Sequence, residues 1–239
     1  MTIETFDRLG IKRVREGLKL LRYGSGRRLL WLMARKRLYS RVVSIGVRRD
    51  LSVHVPGVIG RDLAVVPPAK IALEVRQLRP DDDLSFIDDV PGLDPRSAQI
   101  RMDQRWLMSG DLPTPWVAVD PDGAVRFMTF MLTARDNEAI RARWGDLLPQ
   151  LQPDEILIEG PFAEESARGL GIMKEVAGRL LQIAHDSGAR YAMGFIGEQN
   201  VATLKVVELG GLAPFVKREE RWFLFRRRIR FLPLESATT

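Results

Sequence analysis

EGPFAEESARGLGIMKEVAGRLLQIAHDSG, Glu159 to Gly188, carries the end of an apolar extended run into a polar turn with two glycines and then into a long amphipathic pattern. Ile172, Met173, Val176, Ala177, Leu180, Leu181 and Ala184 recur at helical spacing on one face, and Gly188 lies just past the last of them. The spacing therefore predicts a strand over EILIEGPFA, a turn, and a helix beginning near Gly169 to Gly171. Such a junction gathers at one point several backbone N–H groups that have no helical acceptor. Their partial positive charge suits an anion, glycines at 169 and 171 let it approach the backbone, and Arg168 adds a guanidinium. A dinucleotide-binding loop would need its third glycine at position 174, where Lys174 stands, so that reading fails. A plain glycine turn beside a solvated arginine is the competing account, and the motif alone leaves the two level.

Outward from this junction the chain mixes strands and helices. KIALEVRQL alternates as a strand does, and RPDDDLSFI offers Asp82 or Asp83 as a helix N-cap. A short helix is expected around Arg96 to Leu107. WVAVDPDGAVRFMTFML reads as two apolar strands joined by Asp120-Pro121-Asp122-Gly123, where proline presets one turn angle and glycine accepts the positive one. A helix within Asn137 to Leu148, the strand RYAMGFIG, the helix NVATLKVVELGG led by Asn200, and the strand-like RWFLFRRRIRF complete the pattern. The fold class is α/β, as an α+β mixed sheet, and not doubly wound.

Composition excludes several chemistries. The 239 residues include no cysteine, which removes disulfides, thiolate nucleophiles and Cys-ligated zinc, and fits a reducing cytoplasm. There are two histidines, His54 and His185, and neither HExxH nor Gly-Lys-Ser/Thr occurs, so no metal is expected. The longest stretch free of charge, Leu51 to Gly60, is broken by Pro56 and Gly57 and is too short to span a bilayer.

Arg168-Gly169-Leu170-Gly171-Ile172 resembles the pyrophosphate loop of the GNAT superfamily of acyl-CoA-dependent N-acyltransferases, Q/R-x-x-G-x-G/A. The resemblance runs from about Ile71 to Phe225. VRQLRPDD looks like the family's first strand and helix entry, the Trp116–Leu132 hairpin like its second and third strands, and NVATLKVVELGGL like its Asn-led helix. Met173 departs from the usual Gly/Ala of the loop. The resemblance implies a GNAT-like fold with splayed central strands and acetyl-CoA or another acyl-CoA as co-substrate, with an amine acceptor attacking directly. It further implies that the backbone at Phe162 and Ala163 pairs with pantetheine, that amides from Leu170 to Lys174 (Leu170, Gly171, Ile172, Met173, Lys174) take the pyrophosphate, and that Asn200 reaches the cofactor from the other side. For Asn200 a plain helix cap is the alternative.

Amine acylation needs a proton acceptor for the amine and a proton for the departing thiolate. Glu155 and Glu159 share strand parity and are the candidate bases, although Gly160-Pro161 is placed to bulge the strand and break that parity. The family's acid is a tyrosine in the Asn-led helix, and here that position is Val207. Tyr191 or water could replace it, the thiolate could leave unaided, or the chain could bind acyl-CoA without turning it over. His185, late in its helix, suits the dipole.

Charge is unevenly spread. Residues 1–50 hold 14 Lys and Arg against four Asp and Glu, whereas the whole chain has a net charge of only +6. Two basic amphipathic helices, FDRLGIKRVREGLKLLRY and RRLLWLMARKRLYSRVV, are read there, as an extension and linker over residues 1–65 ahead of a GNAT-like domain over 66–239. Packing as an extra layer on the sheet is one role for them. Residues 1–50 could otherwise dock on an anionic membrane surface, with Leu29, Leu30, Trp31 and Met33 entering it at the inner face, or on an acyl carrier protein. No nucleic-acid reading motif accompanies the charge.

Overall fold

The computed structural model describes residues 31, 34–53, 66, 68–88 and 90–234. The first basic helix, Leu29, Leu30, Met33 and His54 lie outside the described residues. Eight strands form one mixed sheet: β1 (Tyr39–Asp50), β2 (Glu74–Gln77), β3 (Trp116–Val119), β4 (Val125–Thr133), β5 (Glu155–Ala163), β6 (Tyr191–Gly197), β7 (Ala213–Phe223) and β8 (Arg226–Pro233). Their spatial order is β2-β3-β4-β5-β6-β1-β7-β8, and among the described residues only β5 and β6 pair in parallel. Accompanying them among the described residues are the α-helices α1 (Pro95–Met108), α2 (Asn137–Trp144), α3 (Ile172–Asp186) and α4 (Val201–Leu209).

The local chemistry accounts for most boundaries. Asp94 accepts the amides of Arg96 and Ser97 at the head of α1. In the β3–β4 turn, Asp120 Oδ1 accepts from Asp122 and Ala124, and Gly123 takes a φ of 84°. The aspartate run divides its labour. Asp83 receives the amide of Ser85 at a single 3-10 turn, while Asp82 pairs bidentately with Arg76, which holds its carboxyl down at about 2.

Two layers of apolar packing enclose the sheet. On one face α1 and α2 cover Val117, Met128, Phe130, Leu132, Leu157 and Met193, with Trp106 edge-on to Trp144 at 6.2 Å. On the other, α3 sets Ile172, Val176 and Leu180 against Ala118 and Phe127, and α4 brings Leu204 and Val207 to the cluster around Val47 and Ile156. Glu175 is buried within α3 and accepts the amide of Ala69, tying the approach to β2 onto this helix.

The division at residue 65 is corrected. Tyr39–Asp50, read as part of a basic extension, is a twelve-residue strand hydrogen-bonded on both edges, to β6 and to β7. The helical pattern stops early: residues 34–38 are helical, and the strand begins at Tyr39. Alternation then sends Ile45 and Val47 to the α4 face, and Gly46 to a site where a Cβ would fall 2.5 Å from Val216. RWFLFRRRIRF is likewise not one strand but a hairpin, β7 turning into β8 at Leu224-Phe225.

Deleting residues 1–50 will therefore remove an interior strand and open two sheet edges, not trim an appendage. Loss of a cooperative thermal transition by circular dichroism is expected; a sharp transition near that of the full chain would show β1 to be dispensable.

Candidate functional site

β5 and β6 begin as neighbours and then separate. Glu155, Ile156 and Leu157 pair with Tyr191, Ala192 and Met193, after which β5 follows β4 alone to Ala163 and β6 follows β1 to Gly197. The separation starts at a bulge. Phe130 faces Glu159 but Met128 faces Phe162, so Gly160 and Pro161 together oppose Thr129. Gly160 sits at φ 65°, and a Cβ there would lie 2.7 Å from Leu107, so the bulge requires glycine. Thr129 Oγ1 fixes it by donating to the Glu159 carbonyl at 3.1 Å. From Ile158 onward the far edge of β5, including Phe162 and Ala163, has no strand partner.

At the wide end of this fork α3 begins. Gly169 and Gly171 have φ of 78° and 82°, and Gly171 is the left-handed residue before the first helical turn. Among the described residues, the amides of Gly169, Leu170, Gly171, Ile172 and Met173 donate to no protein acceptor, whereas Lys174 N–H donates to Gly171 O at 3.0 Å. The amides without an acceptor are therefore those of Gly169 to Met173, one residue earlier than the expected Leu170 to Lys174, and the Lys174 amide drops out. Met173 packs inward against the α3 core cluster instead of crowding the amides. Arg168 is exposed and pairs with Glu165 at 3.1 Å; with 57% and 71% of their side chains in water, that pair contributes about 0–1 kcal/mol.

Glu159 stands where the strands part, on the α1–α2 side of the sheet. Burial pushes its carboxyl up to about 6, against the opposing pull of Arg218 and of the Gly160 amide, so desolvation wins. Arg218 on β7 is itself half-buried. It donates to Leu147 O at 3.0 Å and Ser44 Oγ at 3.1 Å and lies 4.6 Å over the Phe195 ring. Nothing in VKREERWF distinguishes Arg218 from its solvated neighbours; only the pairing of β7 with β1 brings it here. A second element without a sequence signal is a pocket of about 140 Å³ beside the fork. Phe162, stacked on Phe86 at 5.6 Å, lines it with Ser97, Arg101, Glu164 and Arg168.

Three expected participants lie elsewhere. Glu155 is at the closed end of the fork, its carboxylate accepting the Gln152 amide at 2.9 Å. It lies four residues from Glu159, roughly 13 Å along the strand. Tyr191 is opposite Glu155 and is covered by Arg48 at 4.5 Å and Arg190 at 4.9 Å. It cannot protonate a group at the wide end. Asn200 is exposed and caps α4, accepting from Thr203 N at 3.2 Å. Val207 packs into the apolar face of α4.

No protein-family profile matches the chain, and no curated protein resembles it in sequence. Solved structures do resemble it in shape. A GCN5-related glucosamine N-acetyltransferase region in a fungal multidomain GH3 β-N-acetylglucosaminidase superposes with a TM-score of 0.52 at 13% identity, covering 83% of this chain and 22% of that one. A GCN5-related N-acetyltransferase from Sphaerobacter thermophilus gives 0.44 at 16% identity over 88% and 58%, and one from Kribbella flavida 0.38 at 21% over 57% and 80%. The chain thus spans less than two thirds of the length of the first two. With the mixed sheet, the forked β5–β6 pair and the glycine-led α3 in place, this chain has the fold of the GCN5-related N-acetyltransferases, the GNAT superfamily.

Proposed function

We propose that this chain is an acyl-CoA-dependent N-acyltransferase that moves an acetyl or longer acyl group to an amine by direct attack. One observation carries the reading: among the described residues, five amides at the head of α3 have no protein acceptor, and that helix follows the strand that parts from β6 beside Glu159, a carboxylate raised to about 6. The residues fit acyl-CoA. The amides of Gly169 to Met173, with Arg168, suit a diphosphate, and the unpaired edge of β5 at Phe162 and Ala163 suits the amide-bearing pantetheine arm. Acyl-CoA, when bound, supplies the acyl group as a thioester. Glu159, ionised above about pH 6, accepts the ammonium proton and leaves the amine lone pair free to attack the thioester carbonyl; the C–N bond would form as the C–S bond breaks, with CoA leaving as a thiolate that takes its proton from water. Arg218 keeps that carboxylate from becoming still more basic.

A second reading is favoured by Val207. Its side chain has no proton to give, and the one tyrosine on β6 sits at the closed end, so a fold that holds acyl-CoA without turnover is the alternative. Thiol release against a panel of amines separates the two. Amine-dependent release establishes turnover, whereas acyl-CoA binding with no release on any amine favours the alternative.

Three outcomes are expected of variants. By titration calorimetry, Gly171→Glu lowers acetyl-CoA affinity at least ~10-fold by placing an anion at the amides, and Arg168→Ala lowers it by up to ~10-fold; equal affinity in wild type and both variants would remove the site. Glu159→Gln abolishes the rise of kcat/KM through about pH 6. The folded pKa of Glu159 lies above its ordinary 4.5, so ionising it costs the native state about 2 kcal/mol, present above pH 6 and absent below pH 4.5. Denaturant unfolding should therefore find Glu159→Gln more stable than wild type at pH 8 by up to about 2 kcal/mol, a gain that vanishes near pH 4.

A further inference from the structure

We infer that the open face of β1, β7 and β8, together with the apolar turn at its tip, docks on the surface of an anionic phospholipid bilayer. Cross-strand register places three rows on that face: Tyr39–Phe223–Arg226, Arg41–Arg221–Arg228 and Val43–Glu219–Arg230. Five of the nine positions are arginine and one is acidic. Glu219 is engaged by Arg41, while Arg221, Arg226, Arg228 and Arg230 are exposed and have no carboxylate in ion-pair contact among the described residues.

The tip is built at a conformational cost. Leu224 and Phe225 occupy a two-residue turn with φ of 47° and 64°, values that Asn-Gly adopts readily and that side chains branching from L-residues resist. Leu224 N–H and Phe225 N–H donate to Leu38 O and Arg37 O, at 2.9 and 2.8 Å, which holds the turn in place. Those bonds use only backbone and would form with any residue. What Leu and Phe add are side chains 60% and 56% exposed, flanked by Tyr39 at 62% and Phe223 at 58%. An apolar edge bordered by arginines matches the depth profile of a bilayer surface, with hydrocarbon at the tip and phosphate behind it. No described helix is long and apolar enough to cross a membrane.

Charge excludes a second copy packed face to face, which would oppose one arginine array with another. A nucleic acid would use aromatic rings interleaved among the arginines, whereas here they gather at the tip. The tip also has a direction. Ser44 pairs with Gly197, the last residue of β6, and Tyr39 lies five residues further along, roughly 16 Å beyond the wide end of the β5–β6 fork. Docking by the tip turns the mouth of the fork toward the lipid.

Co-sedimentation of the full chain with phosphatidylglycerol vesicles, phosphatidylcholine vesicles and a single-stranded RNA oligonucleotide tests this. Expected is binding to the anionic vesicles that weakens with salt and exceeds binding to phosphatidylcholine. R221Q/R228Q/R230Q should lose about a hundredfold, at about fivefold per arginine. L224N/F225G should lose at least ~5-fold, with a Tm no lower than wild type because the turn is then unstrained. The proposal is overturned if wild type ignores the anionic vesicles, if both variants bind them as wild type does, or if the chain binds the RNA more tightly than vesicles and L224N/F225G leaves that unchanged.

Discussion

The architecture turns on a single local constraint: β5 cannot remain beside β6. Three residues of parallel pairing bring the strands together, and the two-against-one bulge at Gly160-Pro161 bends β5 away with β4. Without that bend the edge of β5 would be filled by β6, and the amides at the head of α3 would open onto a closed sheet. Gly160 is needed for two reasons at once, a positive φ and the closeness of Leu107. The helix that crosses from β5 to β6 then begins at the wide end of the gap, so backbone geometry alone places the partial positive charge of a helix N-terminus beside a slot between strands.

The carboxylate at the fork is held in tension between two environments. Apolar walls disfavour its charge, and Arg218, three strands away in the sheet order, favours it. Arg218 reaches this place because β1 stands between β6 and β7 and offers Ser44 as a hydrogen-bond partner. A basic strand near the start of the chain thus helps set the proton affinity of a glutamate more than a hundred residues later.

How much of this was legible in the sequence follows the reach of the forces involved. α3, α4 and the β3–β4 hairpin announce themselves through apolar period, Asn200 and Asp-Pro-Asp-Gly, all signals within a few residues. The amide end of α3 was legible for the same reason, as was the bulge at Gly160. β1 was not. Arg35 to Arg41 continues the basic helical pattern ahead of it, and a strand carrying Arg41, Arg48 and Arg49 does not look interior. The buried Arg49 is accommodated because it donates to Gly210 O, a contact 161 residues away. The β7–β8 turn was missed because Leu224-Phe225 lacks turn chemistry. Glu155 and Glu159 share parity, and only the length of the β5–β6 pairing tells which of them meets the opening.

The insertion of β1 between β6 and β7 has a consequence for biosynthesis. Both of its partners lie 141 residues or more downstream of Asp50, so the N-terminal strand leaves the ribosome long before either exists. At about 5–20 residues per second the wait is roughly ten to thirty seconds. Throughout it, Val42, Val43, Ile45 and Val47 present two unsatisfied edges, and the flanking arginines act as the charge that keeps nascent neighbours on a polysome from pairing there.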